Sequence, residues 1–93
     1  MKNYRLRKGF GQVSVDVMRN PSITIGEKAI YAYLSTYTDS VTNETYVSVT
    51  TIASETGLGY STVKRYLKTL EQKGVIKRKP RGSKQSSITV LIQ

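Results

Sequence analysis

The residues of this chain that could do chemistry are cations gathered in one segment. Residues 56–84, TGLGYSTVKRYLKTLEQKGVIKRKPRGSK, contain nine Lys or Arg and a single Glu. Ammonium and guanidinium groups bind phosphate oxygens through charge-assisted hydrogen bonds, and a field of one sign raises the local concentration of polyanions. The pattern therefore favours a polyanionic partner. A basic face that serves only solubility is the alternative that charge alone leaves open.

The remaining side chains argue against an enzyme. The chain has no His and no Cys, so the commonest general base, thiolate metal ligands and disulfides are all missing. Its six acidic residues lie singly along the sequence, and none stands beside a plausible nucleophile and partner. We therefore predict no catalytic residue, no metal site, no cofactor and no small-molecule substrate.

The net charge of +9 is divided unevenly along the chain. Residues 1–8 hold four basic groups, residues 9–63 hold two basic and five acidic groups, and residues 64–93 hold nine basic groups and one acidic group. Two basic blocks thus flank a mildly acidic body. Such asymmetry again favours a polyanion over a neutral partner.

Length and hydropathy indicate one compact domain. The 93 residues, 38% of them hydrophobic, supply one modest core and leave no room for a second domain. The apolar runs fall far short of the roughly 20 residues that cross a bilayer, and no signal-peptide pattern opens the chain. We therefore expect a soluble, cytoplasmic protein with no membrane partner, in which a basic arm at residues 1–9 precedes a domain at residues 10–93.

Local patterns predict a strand and a helix in the first half of the domain. In residues 11–18 three valines alternate with other residues, a period of two that predicts a strand. Thr24 and Glu27 have the spacing of a capping box and predict the start of a helix over about residues 25–37. The inward face of this first predicted helix is expected to hold Ile30, Tyr33, Leu34 and Tyr37.

The second half is predicted to hold two more helices and a hairpin. After the short extended piece TYVS, Ser48 is a good N-cap for a helix over residues 49–56, and Gly57 can take the positive φ that ends it. A third helix runs from about Tyr60 to Lys73. VIKRK and SITVLI are strand candidates joined by a turn. The residues expected to point inward on these two helices are Val49, Ile52, Ala53, Val63, Tyr66, Leu67 and Leu70.

The two later helices, joined across ETGLGYS, have the pattern of a helix-turn-helix. The turn bends the chain by about 90 to 120°, which favours Gly57, and Ala53 is small where the helices must cross. Leu58 and Val63 are expected to fill the space between them. The predicted fold class is therefore α+β, with three helices and a C-terminal two-stranded β-hairpin.

With these residues the chain resembles the winged helix-turn-helix family, most of all the domains of bacterial plasmid and phage replication initiators, replisome organisers and related small regulators. The resemblance covers roughly residues 10–92, through GEKAIYAYLSTYT, VSVTTIASETGLGYSTVKRYLKTLEQKGVIKRK and the hairpin. It implies a bacterial protein that binds double-stranded DNA in replication initiation or transcriptional regulation. The third helix would enter the major groove, and the hairpin, or wing, would lie on a phosphate backbone or in a minor groove. Two residues depart from the family pattern. Thr56 stands where an apolar residue is usual, and Gly59 stands where Ser or Thr usually caps the third helix.

The resemblance assigns DNA contacts to the third predicted helix and to the wing. Helical geometry agrees for the helix, because its outward cations share the face opposite the predicted core residues. A helix of about 20 Å fits the major groove of B-DNA. The predicted contacts on the helix are Tyr60, Ser61, Thr62, Lys64, Arg65, Lys68 and Thr69. Those on the wing are Lys77, Arg78, Lys79, Arg81 and Lys84.

Structural roles compete with contact roles at several of these residues. Tyrosines could stack on single-stranded bases, but for Tyr33, Tyr37 and Tyr66 core packing is the stronger expectation, which leaves Tyr60 as a contact candidate. Arg65 could instead form a surface salt bridge with Glu71 or Glu55. The cations of the wing loop could serve solubility alone, and the N-terminal arm could contact a backbone or a minor groove.

Two other functions fit parts of the pattern. A winged-helix module that binds proteins would use the same fold for self-association or for an acidic partner, and it should present apolar or mixed residues on the third helix. A binder of single-stranded nucleic acid should expose aromatic residues on a sheet or groove. The sequence instead places Ser, Thr, Lys and Arg on the outer face of that helix. Residues 1–18 are the only spare segment, so we expect a monomer or a weak homodimer formed through them.

Overall fold

The computed structural model describes residues 13–39, 41–80 and 87–92, and the statements that follow concern those residues. They form an α+β arrangement in which helices pack on a small antiparallel sheet. No helix among them is long and apolar enough to cross a bilayer. The elements in chain order are α1 (Val15–Met18), α2 (Ile25–Ser35), β1 (Glu44–Thr45), α3 (Val49–Thr56), α4 (Tyr60–Gln72), β2 (Ile76–Pro80) and β3 (Ser87–Leu91).

The sheet has three strands in the order β1-β3-β2, all antiparallel. The predicted hairpin is confirmed as β2 and β3, in a register that pairs Ile76 with Leu91 and Arg78 with Thr89. The short extended piece near residue 45 is a third strand, β1, which pairs with β3 through Glu44 and Thr45. The fold is that of a helix-turn-helix with a wing, and β3 is the central strand although it is the last one in the chain.

The prediction of a strand over residues 11–18 is wrong where the structure describes that segment. Residues 15–18 form one helical turn, α1, because the side chain of Ser14 accepts a hydrogen bond from the Val17 amide at 3.3 Å. Asp16 lies in the first turn, where a carboxylate favours a helix. Of the alternating valines only Val17 is buried, and Val15 is exposed, so the period of two did not report a sheet face.

Helix α2 begins at the capping box that the sequence predicts. The Thr24 amide donates to the Glu27 carboxylate at 2.8 Å, and the Glu27 amide donates to the Thr24 hydroxyl at 3.3 Å. The helix ends two residues before the predicted bound, at Ser35. Its inward tyrosine is Tyr31, which is fully buried and donates to the Ile92 carbonyl at 3.1 Å. The expectation that Tyr37 packs in the core is wrong, because its side chain is 43% exposed.

One hydrophobic core joins the helices to the inner face of the sheet. The predicted inward residues Ile30, Leu34, Ile52 and Leu67 are buried as expected. Tyr33 and Tyr66 are partly buried and pack against this core, as do Ala53 and Leu58 at the junction of α3 and α4. The buried hydrophobic residues are Val17, Ile23, Ile30, Tyr31, Leu34, Ile52, Val63, Leu67, Leu70, Ile76 and Leu91.

Candidate nucleic-acid interface

A tight turn over residues 57–59 sets the direction of α4 relative to α3. Gly57 caps α3 with φ of 77° and ψ of 7°, the left-handed conformation, and its amide donates to the Ala53 carbonyl at 3.0 Å. A Cβ on Gly57 would meet no atom within 4 Å, so the dihedral angle rather than space explains the glycine. Gly59 then serves as the N-cap of α4 with no side-chain cap bond. The turn therefore lies where the sequence predicts it.

One face of α4 is cationic and open to solvent. Ser61, Lys64, Arg65 and Lys68 are exposed, and the opposite face is buried in the core. Within the described part of the chain, no carboxylate lies within 4.0 Å of these cations, so the expected alternative of a salt bridge at Arg65 does not form there. The charge on this face is available to a partner.

Two tyrosines flank the cations of α4. Tyr60 is 54% exposed, and the Lys64 ammonium lies 5.7 Å from the centroid of its ring. Tyr66 is half-buried, and the Arg65 guanidinium carbon lies 5.6 Å from the centroid of its ring. Such cation–π contacts orient flexible side chains at little cost and leave their donors free. Tyr60 therefore stays a contact candidate, whereas Tyr66 packs between α2 and α4.

The side of α4 that faces α2 carries two of the predicted contact residues. A Cβ on Gly26 would overlap the phenol oxygen of Tyr66, which shows how closely the start of α2 approaches this side. Thr69 is half-buried, and its hydroxyl donates to the Tyr66 carbonyl at 3.1 Å. Thr62 is half-buried as well. Both threonines are thus less open to solvent than the cations of the open cationic face.

An ion pair between the buried Glu27 and the partly exposed Lys73 links α2 to the end of α4. The Lys73 ammonium lies 2.6 Å from a Glu27 carboxylate oxygen and donates to the Ser22 carbonyl at 2.7 Å. Burial by itself would raise the pKa of Glu27, but hydrogen bonds from Lys73, Thr69 and Thr24 outweigh it and lower the pKa from 4.5 to about 2. Glu27 is therefore ionised in the folded protein at neutral pH. The sequence indicated its capping role but not its partner, which lies 46 residues away.

The wing strand β2 presents its cations on two faces. Side chains alternate along a strand, and Ile76 points into the core, so Arg78 lies on the inner face beside α4. Lys77 and Lys79 lie on the outer face and are exposed. Lys79 is 3.9 Å from the Glu44 carboxylate on the same outer face. The three predicted wing contacts in this strand are therefore not equivalent.

An open cleft runs between α4 and the inner face of β2. It has a volume of about 490 Å³ and brings four predicted contact residues of the helix to one predicted contact residue of the wing. The cleft also includes the carboxylate of Glu71, which the contact prediction did not contain. Only the position of Glu71 around the helix axis could have indicated it. The residues that line the cleft are Ser61, Lys64, Arg65, Lys68, Glu71 and Arg78.

The remaining predicted contacts lie outside the described residues. They are Arg81 and Lys84 of the wing loop and the basic arm at residues 1–9. Their role in binding stays a prediction.

Comparison with known proteins gives one match. A family model with the description helix-turn-helix domain matches residues 23–76. The matched segment covers more than half of the 93 residues and runs from Ile23, just before the N-cap of α2, to Ile76, the first residue of β2. No curated protein and no solved structure matches the chain.

Proposed function

The chain belongs to the helix-turn-helix domain family, which indicates DNA as its partner, and from this premise we propose that it is a sequence-specific binder of double-stranded DNA. In the proposed complex α4 enters the major groove and the wing lies against the phosphate backbone or a minor groove. The proposed base-reading residues are those on the open cationic face of α4. Of the wing cations in β2, the inner-face Arg78 holds a phosphate directly, and the outer-face Lys77 and Lys79 add to the attraction through their charge.

The observation that carries the proposal is the open cationic face of α4, which the turn at Gly57 positions and which has no ion-pair partner among the described residues. An α-helix of this length spans about 20 Å and fits the major groove. Lysine and arginine there can bind phosphates, and a guanidinium can also pair with both acceptors of a guanine edge. A module for binding proteins would need an apolar or mixed face at this place. The polar face of α4 favours DNA instead.

The biological role we propose is replication initiation or transcriptional regulation in a bacterial plasmid or phage. The resemblance of residues 10–92 to initiators, replisome organisers and small regulators supports it. We also propose that the protein is a monomer or a weak homodimer formed through residues 1–18. The structure describes residues 13–18 of this segment, in which Val13 and Val15 are partly exposed.

The test is selection of bound duplexes from a random library, followed by affinity measurements on the enriched sequence. We expect a consensus, palindromic if two copies bind together and directly repeated if the protein recognises an origin-type array. Recovery of sequences no different from the starting library would contradict sequence-specific binding.

Salt dependence tests the electrostatic part of the proposal. If α4 and the wing neutralise about 4 to 6 phosphates, the logarithm of the binding constant should fall against the logarithm of salt concentration with a slope of roughly −4 to −5. A slope close to zero would show that phosphate contacts do not drive binding.

A further inference from the structure

We propose that the cleft between α4 and β2 holds one phosphate of the DNA backbone, bound by Arg78 from the wing and by Lys64 and Lys68 from the helix, and that Glu71 weakens this contact. The inference rests on the proposed function, because it names the part of the DNA that this cleft takes. It also separates Arg78 from the other cations of the wing.

The first step is the direction of Arg78. Its strand neighbours Lys77 and Lys79 point to the outer face of the sheet, whereas Arg78 shares the inner face with the core residue Ile76. Arg78 and Lys64 line the same cleft. A phosphate in that cleft can therefore bind to the wing and the helix at once. The outer-face lysines cannot join such a contact.

The second step is that Arg78 is held in position before DNA arrives. Its Nε donates to the hydroxyl of the buried Thr89, the residue opposite it in the β2–β3 ladder, at 3.4 Å. Its side chain is half-buried, which limits the rotamers it can adopt. A restrained guanidinium loses less entropy on binding than a free lysine does, and its terminal nitrogens can bind a phosphate in two places.

The third step is that the guanidinium has no carboxylate partner among the described residues. No acidic oxygen lies within 4.0 Å of it, although Glu71 is near enough to interact with its charge. Burial lowers the pKa of Arg78, and Glu71 acts in the opposite direction. A partly buried, unpaired cation in an open cleft gains more from an incoming anion than an exposed one does, because less water screens the contact.

The fourth step concerns Glu71 itself. It is the only acidic residue among the described residues that line the cleft, and it lies near the end of the helix. A carboxylate there repels a phosphate and lowers the net positive charge of the cleft. It should therefore weaken binding to DNA of any sequence and so limit the non-specific part of the affinity, which depends on phosphates alone.

The experiment compares single charge changes on neighbouring positions of one strand. Arg78→Gln and Lys79→Gln each remove one positive charge, so they change the long-range field of the protein equally. The probe is a fluorescein-labelled duplex of random sequence, about 20 base pairs long, titrated at several salt concentrations. Binding is followed by fluorescence anisotropy, and the thermal midpoint of each variant verifies that it is folded.

We expect Arg78→Gln to weaken binding by about tenfold and to reduce the salt slope by about one, because one phosphate contact is lost. Lys79→Gln should weaken binding by about twofold or less, since its side chain lies on the outer face near Glu44. Arg78→Lys should recover the salt slope and part of the affinity, which a purely structural role of the residue would not predict. Glu71→Gln should strengthen binding by about threefold.

Equal losses of affinity in Arg78→Gln and Lys79→Gln would overturn the proposal, because they would mean that total charge alone determines the affinity. An unchanged affinity in Glu71→Gln would show that the Glu71 carboxylate does not weaken phosphate binding. These results can be distinguished from a failure of the proposed function. In that case the unaltered protein would show no salt-dependent binding to any duplex, and the proposed phosphate site would be wrong as well.

Discussion

Two sides of helix α4 use the same kind of residue for different purposes. On the side that faces α2, Lys73, the C-cap residue of α4, keeps a third of its side chain exposed and binds Glu27 and the Ser22 carbonyl. On the open side, Lys64 and Lys68 are exposed and have no carboxylate within 4.0 Å among the described residues. The sequence gives no sign of this difference. A lysine contributes to stability or remains available for a partner according to its angle around the helix axis.

The comparison explains why binding and stability should separate in this protein. Substitutions on the side that faces α2 should change the free energy of unfolding and leave the intrinsic affinity for DNA of the folded protein close to its original value. Substitutions on the open side should change the affinity for DNA and leave the free energy of unfolding close to its original value. The predictions below test that separation, in order of decreasing effect.

The largest expected effect is that of Glu27→Ala. The change removes the capping box of α2 and leaves the Lys73 ammonium without its partner in a partly buried place, so we expect a loss of about 3 kcal/mol in the free energy of unfolding. Urea denaturation measures it. Glu27→Gln can keep the cap while it loses the ion pair, and its loss should be smaller. A cost below about 0.5 kcal/mol would show that the two sides of α4 do not differ in this way.

The same pair predicts a loss of stability in acid. The pKa of Glu27 is about 2 in the folded protein against an ordinary value of 4.5, so the unfolded chain takes up this proton at higher pH. The contribution, about 3 kcal/mol, is fully present above pH 4.5 and is lost as the pH falls toward 2.

Chemical denaturation across this pH range gives the measurement, with Glu27→Gln as the matched control. The control should lack this part of the pH dependence because it carries no titrating group there. Identical pH profiles for both proteins would place the acid sensitivity elsewhere.

On the open side, Arg65→Ala should reduce binding to the preferred duplex by about 1 to 3 kcal/mol and have much less effect on random duplex. The reason is that a mid-helix guanidinium on the outward face can pair with a guanine edge. Its stability should remain within about 0.5 kcal/mol of the original. Titration of both duplexes at matched salt tests this; an equal loss on the two would identify Arg65 as a phosphate contact.

The smallest of these effects concerns the turn between the compared helices. Gly57→Val places a β-branched residue at φ of 77°, which should cost about 1 to 2 kcal/mol through backbone strain alone, since space for a Cβ is free. Gln72→Ala, at an exposed position of α4, is the control and should stay within about 0.5 kcal/mol. Thermal midpoints that coincide for the two variants would contradict the strained turn.

Local signals in the sequence were sufficient to predict most of the elements. The capping box at Thr24, the left-handed cap at Gly57 and the helical spacing of Val63 and Leu67 each act within a few residues, and each is confirmed. The outward direction of the cations on α4 follows from the same periodicity. Those features gave both the helix-turn-helix and its exposed face.

Features that depend on distant partners were missed, and so was one local turn for which the sequence pattern was ambiguous. The alternation of valines near residue 15 fits a strand as well as it fits a helical turn. A single side-chain cap from Ser14 favours the helical turn. Burial of Tyr31 in place of Tyr37 depends on the Ile92 carbonyl, which lies 61 residues away. In β2 the sequence showed a run of cations, but only the burial of Ile76 reveals which of them faces α4.

The central place of β3 in the sheet has a consequence for synthesis of the protein. Among the described strands, β1 and β2 pair only with β3, which follows them in the chain, so neither has its strand partner until residues 87–91 have been made. The pairing of β1 with β3 joins segments that are far apart in the sequence, and such contacts form late. A chain whose synthesis stops before residue 87 would therefore lack the strand with which both β1 and β2 pair.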